Sequence, residues 1–574
     1  MLRDRLPANF AARTAPNLFD VAAILCMLGL AIAVGAVARH TFGPLTAPDA
    51  VAIHLDPAWL PGYAMRTTLR MFAALMASLL FTFTYAVWAA KSRRAGVILL
   101  PILDILQSIP ILGFLTFTVV FFMSLFPGRV LGAELAAIFT IFTSQAWNMA
   151  FSMYQSLKTI PGDLEEAARS FGLSSWQRFW RLEVPFAMPG LVWNTMMSMS
   201  GGWFMVVASE TITVGDTNVV LPGIGSYVGA AIQHRDLRAV LYAILAMLVV
   251  ILLYDQLLFR PLVAWSARFR FETVQGAVAQ DPWVLAMLRR TRLLNQASAT
   301  FGRYLTRIGG LPIGRRPGAP RSPVLPPRVM DGIWLGLLAV AVGLALWQLA
   351  LYVSASLSLR EVGHVLLLGC YTMTRVVVMI VLASLVWVPV GVWLGLRPVW
   401  ARRAQPVAQF MAAFPANLFF PIFVLGIVHY SLNSNIWLTP LMILGTQWYI
   451  LFNVIAGAAA FPGDLLEVAS NFRVSGWRWW LRVMIPGIFP YYVTGALTAS
   501  GGAWNAAIVA EVASWGKTTL TAQGLGSYIA QATAAGATTR VALGMVAMSA
   551  FVITFNRMVW RPMYAFAQRR LTFA

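Results

Sequence analysis

Apolar residues come in runs of about twenty, separated by short polar and basic stretches. Six runs fall in the first half, at about 18–38, 66–90, 97–125, 131–154, 187–210 and 237–263. Six more follow at about 331–353, 366–396, 405–430, 436–459, 488–511 and 540–563. Runs of that length cross the hydrocarbon of a bilayer as helices. Strands of a membrane barrel would alternate apolar and polar positions, and these runs do not. Backbone groups in lipid must bond within their own segment, which again selects helices. The pattern predicts an all-α polytopic membrane protein of two tandem six-helix halves, about 12 transmembrane helices. The first half is expected at 1–265 and the second at 330–574, joined by a basic cytoplasmic linker at 266–329. The first run has no clear cleavage site after it, so it reads as a span and not a removable leader.

Composition narrows the class. Hydrophobic residues are 59% of the 574, charged residues only 11%, and mean hydropathy is +0.72. Soluble domains carry about 25% charged residues. A soluble enzyme, a disordered chain and a disulfide scaffold are therefore excluded. Cys26 and Cys370 each lie in an apolar run, with no metal or disulfide spacing.

The net charge of +21 has a topological reading. Arg3, Arg5 and Arg13 precede the first run. Lys91, Arg93 and Arg94 follow the second, Arg397, Arg402 and Arg403 follow its equivalent, and Arg561, Arg569 and Arg570 sit at the end. The segment 41–62 holds Asp49 and Asp56 and no Lys or Arg. Cations collect on the cytoplasmic side, so both termini are expected in the cytoplasm. The linker contains eleven Arg and two acids, and Arg and Leu interleave between Pro282 and Ile308. That predicts an amphipathic helix beside anionic membrane lipid. No basic–aromatic recognition module accompanies it, and no nucleic-acid partner is expected.

The halves repeat one another. At an offset of 301, Pro161-Gly162-Asp163 recurs as Pro462-Gly463-Asp464, and Glu166, Pro185, Pro189, Trp203 and Glu210 recur as Glu467, Pro486, Pro490, Trp504 and Glu511. Gly223-x-Gly225-Ser226-Tyr227 recurs as Gly524-x-Gly526-Ser527-Tyr528, and Arg260-Pro261 as Arg561-Pro562. Upstream the offset is 305: Arg70, Pro101 and Pro110 match Arg375, Pro406 and Pro415. An even number of spans separates equivalent points, so the copies are parallel, with a pseudo-two-fold axis along the membrane normal and the pathway between them.

The loop between the fourth and fifth runs reads Glu166-Ala167-Ala168-Arg169-Ser170-Phe171-Gly172, then Leu182-Glu183-Val184-Pro185. The second copy reads Glu467-Val468-Ala469-Ser470-Asn471-Phe472-Arg473, then Val483-Met484-Ile485-Pro486. Small side chains let a surface helix approach a partner closely, and a carboxylate pairs with a partner Arg. This resembles the EAA loop of ABC importer permeases, with the second copy departing at Val468 and Arg473. Leu69-Arg70, Pro110, the Gly-x-Gly-Ser-Tyr turn and the closing Arg-Pro pairs look most like the nitrate/sulfonate/taurine group. The resemblance implies a type I importer fold in the bacterial cytoplasmic (inner) membrane. It implies two cytoplasmic ABC ATPase subunits, which would carry the ATP and Mg, and a periplasmic or extracellular substrate-binding protein. This chain would then be a transport subunit and not an enzyme, with no cofactor or metal of its own and a small solute, such as an anion, as cargo.

Within the spans, Glu210 and Glu511 end equivalent runs and are candidates for gating or for bonding the Gly-x-Gly turn, since acids at membrane depth face protein or a water-filled cavity. Arg70 and Arg375 are candidates for drawing an anion, or for capping a helix. Asp104, whose equivalent is Gln409, is a candidate for solute contact or for bonding a helix neighbour. Pro110 and Pro415 remove a helical hydrogen bond and are expected to kink or unwind the third span of each half. Gly516-Lys517-Thr518 resembles the end of a phosphate loop, but Glu511 stands where that pattern needs Gly. The five His residues show no metal spacing, and no nucleophile constellation appears. An ion-coupled secondary transporter with a duplicated six-helix unit is the alternative reading.

Overall fold

The computed structural model describes residues 53–109, 111–214, 217–269, 290–313, 358–516 and 518–570, with isolated residues between 19 and 35 and between 332 and 351. The first and seventh expected spans, Pro110, Lys517, most of the linker and the Asp104 side chain therefore lie largely or wholly outside the described residues.

The first half runs through α1 (Leu60–Phe81), α2 (Arg93–Ser108), α3 (Ile111–Leu125) and α4 (Val130–Lys158). Two short helices follow, α5 (Gly162–Ser170) and α6 (Ser175–Arg178), before the long α7 (Val184–Ser209). A hairpin of β1 (Thr211–Val214) and β2 (Thr217–Val220) pairs Thr211 with Val220 and Val214 with Thr217. Then come α8 (Ile224–Gln233) and α9 (Leu237–Tyr254). The linker contributes α10 (Arg292–Gly309).

The second half repeats this order. Its members are α11 (Leu359–Gly395), α12 (Pro398–Ala413), α13 (Phe420–His429), α14 (Ser434–Ile443) and α15 (Gln447–Ala459). Next are α16 (Gly463–Asn471), α17 (Gly476–Trp479) and α18 (Ile485–Ala510). A hairpin of β3 (Val512–Trp515) and β4 (Thr518–Thr521) leads to α19 (Leu525–Ala534) and α20 (Thr538–Phe555). The repeat extends to irregularities. Five-residue π turns at Phe179–Glu183 and Asp255–Phe259 recur at Trp480–Met484 and Asn556–Trp560.

Among the described residues, five helices are long and apolar enough to cross a membrane, or six when α14 and α15, bent by 42°, count as one span. The third span of each half is divided: α2 stops at Ser108 and α3 starts at Ile111, while α12 ends before Pro415 and the chain resumes through a 3-10 turn, Ala416–Phe419. α7 is 26 residues long, but Asn194, Thr195, Ser198, Ser200, Gly201 and Gly202 dilute its apolarity. Those small residues serve close packing. A Cβ on Gly202 would stand 2.5 Å from Met71 and 2.6 Å from Gln145.

One apolar cluster includes residues of both halves, from Met71 and Trp203 to Trp504 and Met548. Trp193 stacks on Phe452 across the interface at 5.4 Å between centroids, and Asn417 Nδ2 donates to Phe204 O at 3.1 Å. The two halves thus share a core. A helix of 26 residues rises about 39 Å, so α7 and α18 carry the chain from short-helix loops at one end of the bundle to hairpins at the other.

Candidate functional site

At the loop end, the two EAA-like segments fold alike. In α5, Asp163 and Glu165 fall in the first turn and Arg169 in the last, a placement the helix dipole favours. Ala168 is buried against the bundle, while Glu166, Ala167 and Phe171 are exposed. In α16 the same positions are filled by buried Ala469 and by exposed Glu467, Val468 and Phe472. Gly172 closes α5 at φ +63°, with Leu173 N–H donating to Ala168 O at 3.2 Å. This is the left-handed cap that glycine adopts without strain. Arg473 takes the same conformation at φ +52°, and Val474 N–H donates to Ala469 O at 2.9 Å. The departure from Gly therefore leaves the backbone path unchanged, at a cost of about 1–2 kcal/mol. Pro185 and Pro486 follow directly on the π turns at Phe179–Glu183 and Trp480–Met484, inside a helix that runs on without a break, so each removes one N–H from the helical ladder there.

The loops differ in how they are tied down. Buried Glu183 in the first π turn accepts from Arg178 Nε at 3.0 Å and pairs with Lys91 Nζ at 2.8 Å. Lys91 also stands over the Phe179 ring, 4.8 Å from its centroid. The equivalent of Glu183 is Met484, so the second loop lacks this tie. Glu183 therefore carries no mark of the repeat.

At the hairpin end, each half contains a buried polar pin. Glu210 Oε1 accepts from Thr67 Oγ1 at 2.6 Å and from Arg70 at 2.7 Å, and its Oε2 accepts from Gly225 N–H at 2.6 Å. Arg70 also grips Glu134 with two bonds of 2.6 and 2.8 Å. In the second half, Glu511 accepts from Thr372 at 2.8 Å, Arg375 at 3.0 Å and Ser527 N–H at 3.0 Å. Asn435, the equivalent of Glu134, accepts from Arg375 at 3.3 Å. The Gly-x-Gly turn is explained by this arrangement. A Cβ on Gly223 would lie 2.2 Å from the Glu210 carboxylate, and one on Gly524 2.3 Å from that of Glu511. Arg70, Arg375, Glu210 and Glu511 are thus brought together in pairs and directed at each other, binding the first long helix of each half, the end of α7 or α18, and the start of α8 or α19.

Midway lies a cavity of about 280 Å³ between the halves. Ser144, Asn148, Ser198, Ser200, Thr446, Tyr449, Thr498 and Asn505 supply polar groups to its wall, with Phe204 and Phe414 among the apolar ones. Ser200 and Tyr449 share a hydrogen bond across the interface. Among the described residues, no Asp, Glu, Lys, Arg or His lines it, so they offer neutral donors and acceptors and aromatic faces, and none of the four pin residues reaches it. Buried Pro415 lies between two wall residues, Phe414 and Ala416, where α12 has ended. None of the wall residues was marked by a charge or motif. Their spacing in α4, α7 and α18 is that of ordinary helix packing.

With this geometry in view, known proteins give a consistent comparison. The model of the family described as "Binding-protein-dependent transport system inner membrane component" matches residues 82–260 and again 387–571. Glycine betaine/proline betaine transport system permease protein ProW of Escherichia coli (strain K12) is 30% identical over 184 residues, 32% of this chain and 49% of its own. Bicarbonate transport system permease protein CmpB of Synechocystis sp. is 29% identical over 131 residues, 23% of this chain and 45% of its own. Nitrate import permease protein NrtB of Leptolyngbya laminosa is 24% identical over 188 residues, 33% and 64% of the two chains. The chain spans about half the length of the first two relatives and somewhat more of the third.

Proposed function

The chain belongs to the family of binding-protein-dependent transport system inner membrane components, matched once in each half, and from that premise we propose that it is a fused two-half permease subunit of an ATP-binding cassette importer. Its cargo is a small anion or osmolyte of the kind named in its relatives, such as nitrate, bicarbonate or betaine. The solute passes between the halves through the uncharged central cavity. ATPase subunits holding ATP and Mg dock on the α5 and α16 loops, and a binding protein delivers solute at the hairpin end. Both chain ends then face the ATPases, as the distribution of arginines favours.

The duplicated coupling loop carries this reading. Each copy projects a carboxylate and a bulky ring outward, Glu166 with Phe171 and Glu467 with Phe472, on a short helix whose inner Ala is buried. Such a helix has no internal use for an exposed phenyl ring, whereas a partner cleft does. Ion coupling is less favoured, because among the described residues the cavity wall has no ionisable side chain except Tyr449 and the pin acids are already bonded to arginine.

The test is charge reversal. Glu166→Lys is expected to reduce ATPase co-purification and ATP-dependent solute uptake by about ten-fold or more, with membrane insertion unchanged. Normal complex yield and uptake, or uptake by the chain alone in vesicles without ATPase, would overturn the proposal.

A further inference from the structure

The second difference between the loops involves the linker. Trp176 Nε1–H, on α6, donates to Ile308 O at 2.8 Å, and Gln177 Nε2 donates to Gly310 O at 2.7 Å. Trp176 backbone N–H donates to Ile313 O at 3.3 Å. The last carbonyls of α10 and the residues just beyond it, which a helix leaves without intrahelical partners, are thus bonded by the first loop. Gly309 and Gly310 allow the approach: a Cβ on Gly309 would stand 3.1 Å from Trp180, and one on Gly310 3.2 Å from Arg181. In the second half, Arg478 and Leu481 occupy the positions of Gln177 and Trp180. Trp477, the equivalent of Trp176, is 72% exposed.

We infer that the end of the linker helix is a brace built onto the first coupling loop, so that the two ATPase seats are unequal. The inference rests on the coupling-loop reading above. The brace holds α6 and the π turn, through which motion of α5 must reach α7. It acts beside the Lys91–Glu183–Arg178 tie, which Met484 rules out in the second loop. A seat ordered in advance loses less freedom when its partner binds. The ATPase on the first loop therefore binds more tightly, and the second loop engages with its own reordering.

The test uses the full chain in nanodiscs with the ATPase that co-purifies with it. The double variant Trp176→Phe, Gln177→Glu removes both side-chain donors to the linker. It keeps the ring, and it keeps the Oε1 acceptor that Gln177 offers Ser174 N–H at 3.0 Å, so α6 retains its cap. Amide exchange across 308–313 is expected to rise about ten-fold or more, and ATPase affinity at one of the two seats to fall about ten-fold. Trp477→Phe should change neither. Unchanged exchange would overturn the contact. Faster exchange with unchanged or tighter ATPase binding would overturn the brace. Should Glu166→Lys and Glu467→Lys both leave ATPase binding intact, the coupling-loop reading falls instead, so the two failures are distinct.

Discussion

At the pins, Thr67, Arg70, Glu210 and Gly225 find equivalents of the same type in Thr372, Arg375, Glu511 and Gly526. Along the cavity wall the repeat offset instead places Tyr449 at the position of Asn148, Gly445 at that of Ser144, Asn505 at that of Phe204 and Gly501 at that of Ser200. The same helices, α7 and α18, build both regions. Where the repeated helices fasten the chain to itself, the two copies match. Where they line the central cavity, they supply mostly unlike groups, and the cavity has two different walls in a pseudo-symmetric frame. The loops lie between these cases, with one backbone path and unequal fastening.

The largest effect expected from breaking this comparison is at the first pin. Arg70→Met strands two carboxylates, Glu134 and Glu210, in a buried site, and should cost about 3–5 kcal/mol. Arg375→Met strands one carboxylate and a neutral amide and should cost less. Thermal unfolding of the two detergent-purified variants decides, and equal losses would mean that Glu134 adds nothing. A smaller effect is expected at the wall. Tyr449→Phe removes the hydroxyl bonded to Ser200, for a stability change of about 1 kcal/mol and a shift in transport KM of roughly three- to ten-fold. An unchanged KM for the accepted solute would remove Tyr449 from its path. The smallest change expected is a gain. Arg473→Gly relieves a left-handed Arg and should stabilise the chain by less than about 1 kcal/mol, seen as a slightly raised melting temperature. A loss would show that the Arg473 side chain holds the loop.

The repeated short loop helices and the Gly-x-Gly turn are legible because duplication marks them: the same residues stand 301 apart. That filter also concealed what is not duplicated. Glu134 and Glu183 occupy the positions of Asn435 and Met484 in the other copy, so the repeat marks neither, although one completes a pin and the other anchors a loop. The hairpins were missed for another reason. Thr211–Val220 reads as two short β-branched strands around Gly-Asp, a hairpin signal, but a search for twenty-residue apolar runs steps over it. The divided third spans followed from Pro110 and Pro415 only as a kink or unwinding. Where the helix stops depends on packing around Phe414 and Ala416, which spacing does not encode.

The paired π turns bear on how the helices of the two copies are oriented. One surplus residue within a helix rotates everything beyond it by about 100°, so a bulge acquired late would turn every following side chain to a new direction. Both bulges stand at matching places in the two copies. Each pair therefore turns the helix beyond it by the same amount in both copies, and the unlike walls of the central cavity come from side-chain identity and not from a different helix orientation.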